Sequence, residues 1–151
     1  MSIPKYTDHK EITDDEFAKL KKSVINAKSL AYCPYSNFHV GCTIITESGE
    51  FITGANVENA SYGAGICAER TAIVKAVSEG FTQFKVIAIS GDTKEPITPC
   101  GICRQFIREF APNIPVYMFN DSGDFIKVYL HDLLPLSFGP EDLGVSAQNN
   151  R

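Results

Sequence analysis

The spacing of hydrophobic residues predicts one helix and then a hairpin in the first part of the chain. An apolar stripe that begins after three acidic residues predicts a helix over 14–32, which Pro34 ends. Partly alternating, β-branched residues predict strands over 38–46 and 50–58, joined by a turn at Ser48 and Gly49. Helical and extended patterns therefore follow one another from the start.

The rest of the pattern alternates in the same way. It predicts a helix over 67–80, a strand over 84–90, a helix over 100–110, a strand over 115–120, a weaker strand over 124–130 and a short helical or irregular segment over 131–143. The order is α-β-β-α-β-α-β-β-α, and its β-α-β-α-β middle favours parallel pairing with right-handed crossovers. We expect an α/β fold: a three-layer α-β-α sandwich around a mixed sheet of about five strands.

Length and composition narrow the class of protein. The 151 residues suit one domain over 1–151, and we expect 1–12 and 145–151 to be flexible ends. With 44% hydrophobic and 21% charged residues, the chain fits a soluble globular protein. A net charge of −4 makes nucleic acid a poor partner, because affinity for it comes largely from phosphate neutralisation. The absence of a signal core or membrane-length apolar run predicts a cytoplasmic location, in a eukaryote also a nuclear one, and no membrane partner.

Five cysteines change the picture most: Cys33, Cys42, Cys67, Cys100 and Cys103. Their odd number and a reducing compartment argue against a disulfide framework, so metal binding or catalysis is favoured. We expect Cys33 and Cys42 to be small buried residues. Cys67 opens one predicted helix, and Cys100 and Cys103 open the next. If the three meet, two helix dipoles favour their thiolates, which form a zinc site with one position open.

The missing fourth ligand separates two kinds of zinc site. A structural site is closed by four protein ligands, and no fourth cysteine lies near these helix starts. His9, His39 and His131 lie elsewhere in the chain and would need a special approach. An open site holds a water, whose pKa zinc lowers from 15.7 to about 7.

Glu69 and Arg70 follow Cys67 in the first turn of the predicted helix. Glu69 can reach a metal-held water without binding the metal, as a general base must, or it can simply stabilise the helix dipole. Arg70 can donate hydrogen bonds to the sulfurs, or it can form a surface salt bridge. The segments CAER and PCGICRQ together favour the catalytic alternative for Glu69.

These two segments resemble the signature of zinc-dependent nucleoside deaminases. More specifically, five motifs in order are similar to those of the small homotetrameric zinc-dependent cytidine deaminases, from about residue 27 to residue 143. The motifs are CPYSNFHVG, TGANVENASYG, ICAERTA, PCGICRQF and LLPLSFGPEDL.

The resemblance implies a hydrolase of pyrimidine salvage that converts free cytidine and 2′-deoxycytidine to uridine and 2′-deoxyuridine plus ammonia. It implies that Cys67, Cys100 and Cys103 hold one Zn²⁺ per subunit. It also implies that a zinc-bound hydroxide attacks C4 of the cytosine ring, while Glu69 shuttles the proton and Arg70 supports the thiolates.

The resemblance also assigns the substrate contacts. Asn56 and Glu58 would bind the 3′-hydroxyl of the sugar, and Phe38 would pack against the base. The other contacts would come from Ala68 and, contributed by neighbouring subunits of a homotetramer with shared active sites, from Ala60, Tyr62 and Phe138. Without the resemblance, Asn56 and Glu58 are turn residues after a strand, and Phe38 and Phe138 are core residues.

Three alternatives stay open at the level of sequence. A thiol oxidoreductase would use Cys100 and Cys103 alone and leaves Cys67 and Glu69 unexplained. A zinc module that binds a partner would not need Glu69. A deaminase of the blasticidin or nucleic-acid-editing type would keep the chemistry and change the substrate, but the segment NVENASY favours a free nucleoside and the acidic charge disfavours a polynucleotide.

Overall fold

A computed structural model describes residues 2–146 of the chain. The helices and strands follow the predicted order. They are α1 (Asp14–Ala27), β1 (Val40–Thr46), β2 (Phe51–Ala55), α2 (Ala68–Ser78), β3 (Phe84–Gly91), α3 (Gly101–Phe110), β4 (Pro115–Phe119), β5 (Phe125–Tyr129) and α4 (Leu130–Leu133). Short 3₁₀ turns cover Lys28–Leu30, Tyr62–Ala64 and Pro140–Leu143.

The five strands form one mixed sheet in the order β2-β1-β3-β4-β5. The predicted antiparallel hairpin of β1 and β2 is confirmed. Parallel pairing occurs between β3 and β4, which α3 connects, whereas β1–β3 and β4–β5 are antiparallel. The expected parallel pairing therefore does not extend from β2 to β3, because β1 lies between them and pairs with both.

The two faces of the sheet pack against different helices, which confirms the expected three-layer arrangement. Alternate residues of a strand point to opposite faces. On β3, Val86 and Ala88 belong to a buried cluster with Leu20 and Val24 of α1. Ile87 and Ile89 belong to the opposite cluster, with buried residues of α2, α3 and α4, namely Ala72, Ile73, Ile107, Leu130 and Leu133.

Helix α1 begins with a capping box and ends earlier than predicted. Thr13 Oγ1 accepts a hydrogen bond from the Glu16 N–H at 3.1 Å, and Glu16 Oε1 accepts the Thr13 N–H at 3.0 Å. The helix ends at Ala27, and a 3₁₀ turn replaces the predicted helical residues 28–30. Residue 31 is already extended, before Pro34 is reached.

Gly54 on β2 sets the position of α2. A Cβ atom built on Gly54 would lie 2.5 Å from the backbone nitrogen of Ala72 and 2.7 Å from the carbonyl oxygen of Ala68. The helix backbone therefore lies directly on the strand, an approach that only glycine permits. This contact fixes the start of α2, where Cys67 and Glu69 lie.

The N-terminal segment makes specific contacts with β5. Tyr6 and Lys127 exchange two backbone hydrogen bonds of 2.8 Å, and Lys127 Nζ contacts carboxylates of Asp8 and Glu11. Residues 1–12 were expected to be a flexible end, and these contacts with β5 were not predicted. The other expected flexible end is 145–151, of which residues 147–151 lie outside the described part of the chain. Within residues 2–146, no helix is long and apolar enough to cross a membrane.

Candidate active site

Three cysteine sulfurs meet where helices α2 and α3 begin. Cys67 is the N-cap of α2 and Cys100 the N-cap of α3, while Cys103 lies one turn into α3. The Sγ atoms of Cys67 and Cys100 are 3.8 Å apart, and all three sulfurs lie within 4.8 Å of one another. The convergence predicted for Cys67, Cys100 and Cys103 is therefore present.

The donor set fits a zinc ion with an open position. Tetrahedral zinc with Zn–S bonds of about 2.3 Å sets its sulfurs about 3.8 Å apart, which is the spacing of Cys67 and Cys100. Among residues 2–146, the metal-binding group contains these three side chains and no fourth histidine, cysteine or carboxylate. The histidines considered as a fourth ligand lie beside aspartates instead, as the pairs His9–Asp14, His39–Asp92 and His131–Asp132.

Hydrogen bonds stabilise a thiolate at Cys67. Bonds from Cys103 and from Arg70 lower the pKa of Cys67 to about 5, and Arg70 Nη2 lies 3.5 Å from its sulfur. The same hydrogen bond, together with burial, raises the pKa of Cys103 well above the usual range. An arginine beside a thiolate favours the charged form of the sulfur, because the opposite charge lies close to it. Cys33 and Cys42 are buried away from this cluster, as expected.

Glu69 lies in the first turn of α2 with only 4% of its surface exposed. Burial raises its pKa above the ordinary value for a glutamate. A buried carboxyl group in the same helical turn as a cysteine cluster is placed to accept and donate protons there, as general acid–base chemistry requires. Its neighbour Ala68 is fully buried.

Asn56 holds the loop that carries Phe38. Its side-chain amide donates to the Phe38 carbonyl oxygen at 2.8 Å, and its side-chain oxygen accepts the Val40 N–H at 2.9 Å. A Cβ atom built on Gly91 would lie 3.2 Å from Phe38 Cζ and 2.6 Å from Ile97 Cδ1, so both side chains lie over Gly91. Phe38 is thus partly buried near the loop that leads into α3.

Glu58 holds the same loop from the other side. Its Oε1 accepts the backbone N–H groups of Tyr35 at 3.0 Å and Ser36 at 3.1 Å, and its Oε2 accepts the Ser36 hydroxyl. These bonds, the Ser36 hydroxyl foremost, lower the pKa of Glu58. The carboxylate is therefore charged at neutral pH.

A cavity of about 280 Å³ lies beside Glu58. Tyr35 and Tyr62 contact each other edge to face across it, with ring centroids 5.7 Å apart. Its lining consists of Tyr35, Ser36, Glu58, Asn59, Tyr62 and Gly65. Sequence reasoning singled out Glu58 and Tyr62 but missed Tyr35, Ser36, Asn59 and Gly65. The first three lie in the motifs that were recognised, and Gly65 lies between two of them.

A backbone bridge joins this cavity to the cysteine cluster. Val57 and Ile66 exchange two backbone hydrogen bonds of 2.9 Å, and these residues precede Glu58 and Cys67 respectively. The charged carboxylate of Glu58 and the sulfur of Cys67 therefore lie on adjacent segments.

The residues expected to act across subunits are exposed in the single chain. Ala60 is exposed, Tyr62 is 80% exposed and Phe138 is 58% exposed. The Phe138 carbonyl oxygen accepts a hydrogen bond from Gln105 Nε2 at 2.9 Å, which holds this residue against α3. These side chains are free to contact another molecule.

Comparison with known proteins gives consistent results. Residues 14–118 match the family described as the cytidine and deoxycytidylate deaminase zinc-binding region. The chain is 47% identical over 125 residues to the cytidine deaminase of Halalkalibacterium halodurans, covering 82% of this chain and 95% of that protein. It is 46% identical over 123 residues to the cytidine deaminase of Sporosarcina psychrophila, covering 81% and 90%. The crystal structure of cytidine deaminase from Burkholderia pseudomallei superposes with a TM-score of 0.78 at 42% identity, covering 84% of this chain and all of that one.

Proposed function

The chain belongs to the family of zinc-dependent cytidine deaminases, and from this premise we propose that it hydrolyses free cytidine and 2′-deoxycytidine to uridine and 2′-deoxyuridine with release of ammonia. The observation that carries the proposal is the cluster of Cys67, Cys100 and Cys103 with an open position beside the buried Glu69. Cytidine deamination rests on the family, whereas the following details are our proposal.

Cys67, Cys100 and Cys103 would hold one Zn²⁺ per subunit, and Arg70 would offset the charge of their sulfurs. When bound, zinc supplies a Lewis acid that makes a water molecule at its open position acidic near neutral pH. The raised pKa of Glu69 supports its role as the group that moves the protons.

Glu69 accepts the two protons of the attacking water in turn and transfers one to N3 of the cytosine ring and the other to the exocyclic amine. Protonation at N3 makes C4 electrophilic enough for the oxygen of water to add. Protonation of the amine turns NH₂⁻, a very poor leaving group, into ammonia. The bond between C4 and the exocyclic nitrogen breaks, and the oxygen on C4 remains as the carbonyl of uridine. The reaction consumes one water.

Glu58 and Asn56 bind the sugar, and each has a hydrogen-bonding position that its contacts within the chain leave free. A carboxylate has about four acceptor positions, and Glu58 uses three for Tyr35 and Ser36. An amide carries two N–H donors, and Asn56 uses one for Phe38. The remaining acceptor and donor suit the 3′-hydroxyl, which cytidine and deoxycytidine share. Phe38 packs against the base.

The active form is a homotetramer of single-domain subunits, with each substrate site completed by neighbouring chains. The exposure of Tyr62, which lines the cavity, and of Phe138 supports this, because aromatic side chains are enriched at protein interfaces. Ala60 and Tyr62 would close the cavity, Ala68 would contact the base, and Phe138 would reach a neighbour's site. The reaction serves pyrimidine salvage, since its substrate is a free nucleoside.

The test follows the ultraviolet change as cytidine and, separately, deoxycytidine are converted, using zinc-loaded wild type and Glu69→Gln. We expect the variant to lose roughly 10²–10⁴ in kcat with zinc content unchanged, the usual size of a general acid–base contribution. Glu79→Gln, an exposed glutamate at the other end of α2, is the matched control and should keep full activity. Full activity in Glu69→Gln would refute the proton-transfer role. An inactive, folded and zinc-loaded wild type would refute the substrate.

A further inference from the structure

One arginine of α3 connects two segments that are distant in sequence. Arg104 Nε donates to the Pro99 carbonyl oxygen at 2.7 Å, and its Nη2 donates to Thr98 Oγ1 at 3.2 Å. Its Nη1 donates to the Leu133 carbonyl oxygen at 2.9 Å. The guanidinium thus holds the two residues before Cys100 and, at the same time, the start of the C-terminal segment.

We propose that Arg104 is a positioning residue of the metal centre, which fixes the direction of the Cys100 sulfur. Cys100 is exposed and is the N-cap of α3, so the helix holds its carbonyl oxygen, through the Arg104 N–H at 2.9 Å, but not the peptide that precedes it. The peptide before it is held by the buried Pro99, whose carbonyl oxygen is bound to Arg104.

The position of Arg104 in sequence explains the effect on geometry. It directly follows Cys103, the ligand on the first turn of α3, and its side chain reaches back to the residues before Cys100. One side chain therefore sets the spacing between two of the three sulfurs. A planar fork with several donors can make all three bonds together, which a lysine ammonium on a flexible stem cannot reproduce.

Arg108, one helical turn further along, is a matched control. Its Nε donates to Ser137 Oγ at 2.9 Å, and its guanidinium pairs with Glu141 at 3.1 Å. A Cβ atom built on Gly139 would overlap this guanidinium, so the arginine lies directly on the C-terminal segment. Within residues 2–146, the side-chain hydrogen bonds and the ion pair of Arg108 are with residues 137–141 and with none of the loop before Cys100. Both arginines hold the C-terminal segment, and Arg104 also holds the loop before Cys100.

The proposal rests on the assignment of the three cysteines as zinc ligands. Residues that orient metal ligands typically change metal affinity 10- to 100-fold when they are mutated. The same side chain also attaches the C-terminal segment, so a useful measurement must separate zinc retention from general stability.

The experiment measures the rate at which zinc leaves full-length, zinc-loaded protein into excess chelator, for wild type, Arg104→Gln, Arg104→Lys and Arg108→Gln. Circular dichroism establishes that each variant stays folded at the temperature used. We expect zinc loss about tenfold faster or more in Arg104→Gln, an intermediate rate in Arg104→Lys, and a rate within about twofold of wild type in Arg108→Gln.

An unchanged rate in Arg104→Gln, or an equal acceleration in Arg108→Gln, would overturn the role of Arg104 while leaving the proposed function intact. If Arg104→Gln does not fold, the pair Arg104→Lys and Arg108→Lys decides by the same comparison. Wild type without stoichiometric zinc would instead refute the ligand assignment, and the role of Arg104 with it.

Discussion

The sulfurs of Cys67 and Cys100 lie 3.8 Å apart although 33 positions separate them in the chain. The sheet order explains this approach. Strands β2 and β3 both pair antiparallel to β1, so they run in the same direction, and the helices that follow them begin at the same edge of the sheet. The loops after β2 and β3 then carry the two cysteines to one point.

Removing one of these sulfurs should remove the metal. We expect Cys100→Ser to lose most of its zinc and to bind the ion more than about 100-fold more weakly, because a hydroxyl is a far poorer zinc ligand than a thiolate. Metal analysis of the purified, folded protein measures this. Cys33→Ala is the control, since Cys33 is buried outside the cluster. Stoichiometric zinc in Cys100→Ser would contradict the assignment.

Replacing Glu58 by glutamine should weaken substrate use and spare the metal. The change keeps the shape of the side chain and removes the charge that strengthens its hydrogen bonds. A hydrogen bond to a charged acceptor is stronger than one to a neutral acceptor, so we expect kcat/KM for cytidine to fall roughly tenfold or more. Steady-state kinetics and zinc content are measured together, with Glu79→Gln as the control. Loss of zinc in Glu58→Gln would mean that the residue acts at the metal centre.

Local sequence pattern predicted most of the elements and the convergence of the three cysteines. The continuous apolar run of β3 and the capping residues of α1 indicate these elements without tertiary contacts. Cys67, Cys100 and Cys103 could be placed because a helix start is a local feature with a known dipole.

Features that depend on contacts between distant residues were not predictable in this way. Strand β1 lies between β2 and β3, but the local sequence pattern is equally compatible with other strand orders. The bond between Ser36 and Glu58 joins two loops 22 positions apart, and neither loop has a periodic pattern. Gly54 looks like an ordinary strand glycine until α2 is placed on it.

Mixing two defective chains tests whether Phe138 acts at a neighbour's site. Phe138→Ala should weaken substrate use, and Glu69→Gln should abolish proton transfer. In a mixed oligomer, some sites would combine an intact Glu69 from one chain with an intact Phe138 from the other.

We therefore expect activity above the sum of the two parents after the variants are unfolded and refolded together, measured with cytidine at limiting concentration. A mixture of Glu69→Gln and Glu69→Ala is the matched control and should stay inactive. Activity equal to the sum of the parents would contradict a shared site and leave Phe138 acting within its own chain.

Lys127 is fully buried and bound to Asp8 and Glu11 of the N-terminal segment. Burial raises the pKa of Glu11, but hydrogen bonds from Tyr117, Tyr129 and Lys127 outweigh it and hold this pKa below the ordinary 4.5. The bond from Lys127 likewise holds the pKa of Asp8 below 3.8. Burial lowers the pKa of Lys127, and its bonds to the two carboxylates raise it above 10.5.

These directions set the pH range in which the network stabilises the fold. A carboxyl group whose pKa is lowered on folding stabilises the protein above its unfolded pKa and loses that effect as pH falls through its folded value. A lysine whose pKa is raised stabilises it below its unfolded pKa and loses that effect only as pH rises through the folded value. The contribution is therefore complete from about pH 5 to 10 and is lost on acidification below about pH 4.5.

We expect Lys127→Met to lower the free energy of unfolding at pH 7 by about 3 kcal/mol, since it leaves the partly buried Glu11 without its cation. The difference from wild type should shrink as the pH is lowered toward 3, where the carboxylates become protonated. Urea unfolding at several pH values measures both effects. Lys85→Met, which removes the more exposed partner of Glu16, is the control and should cost less than about 1 kcal/mol. An equal loss in the two variants, or a difference that does not change with pH, would show that the N-terminal segment is not held by this charge network.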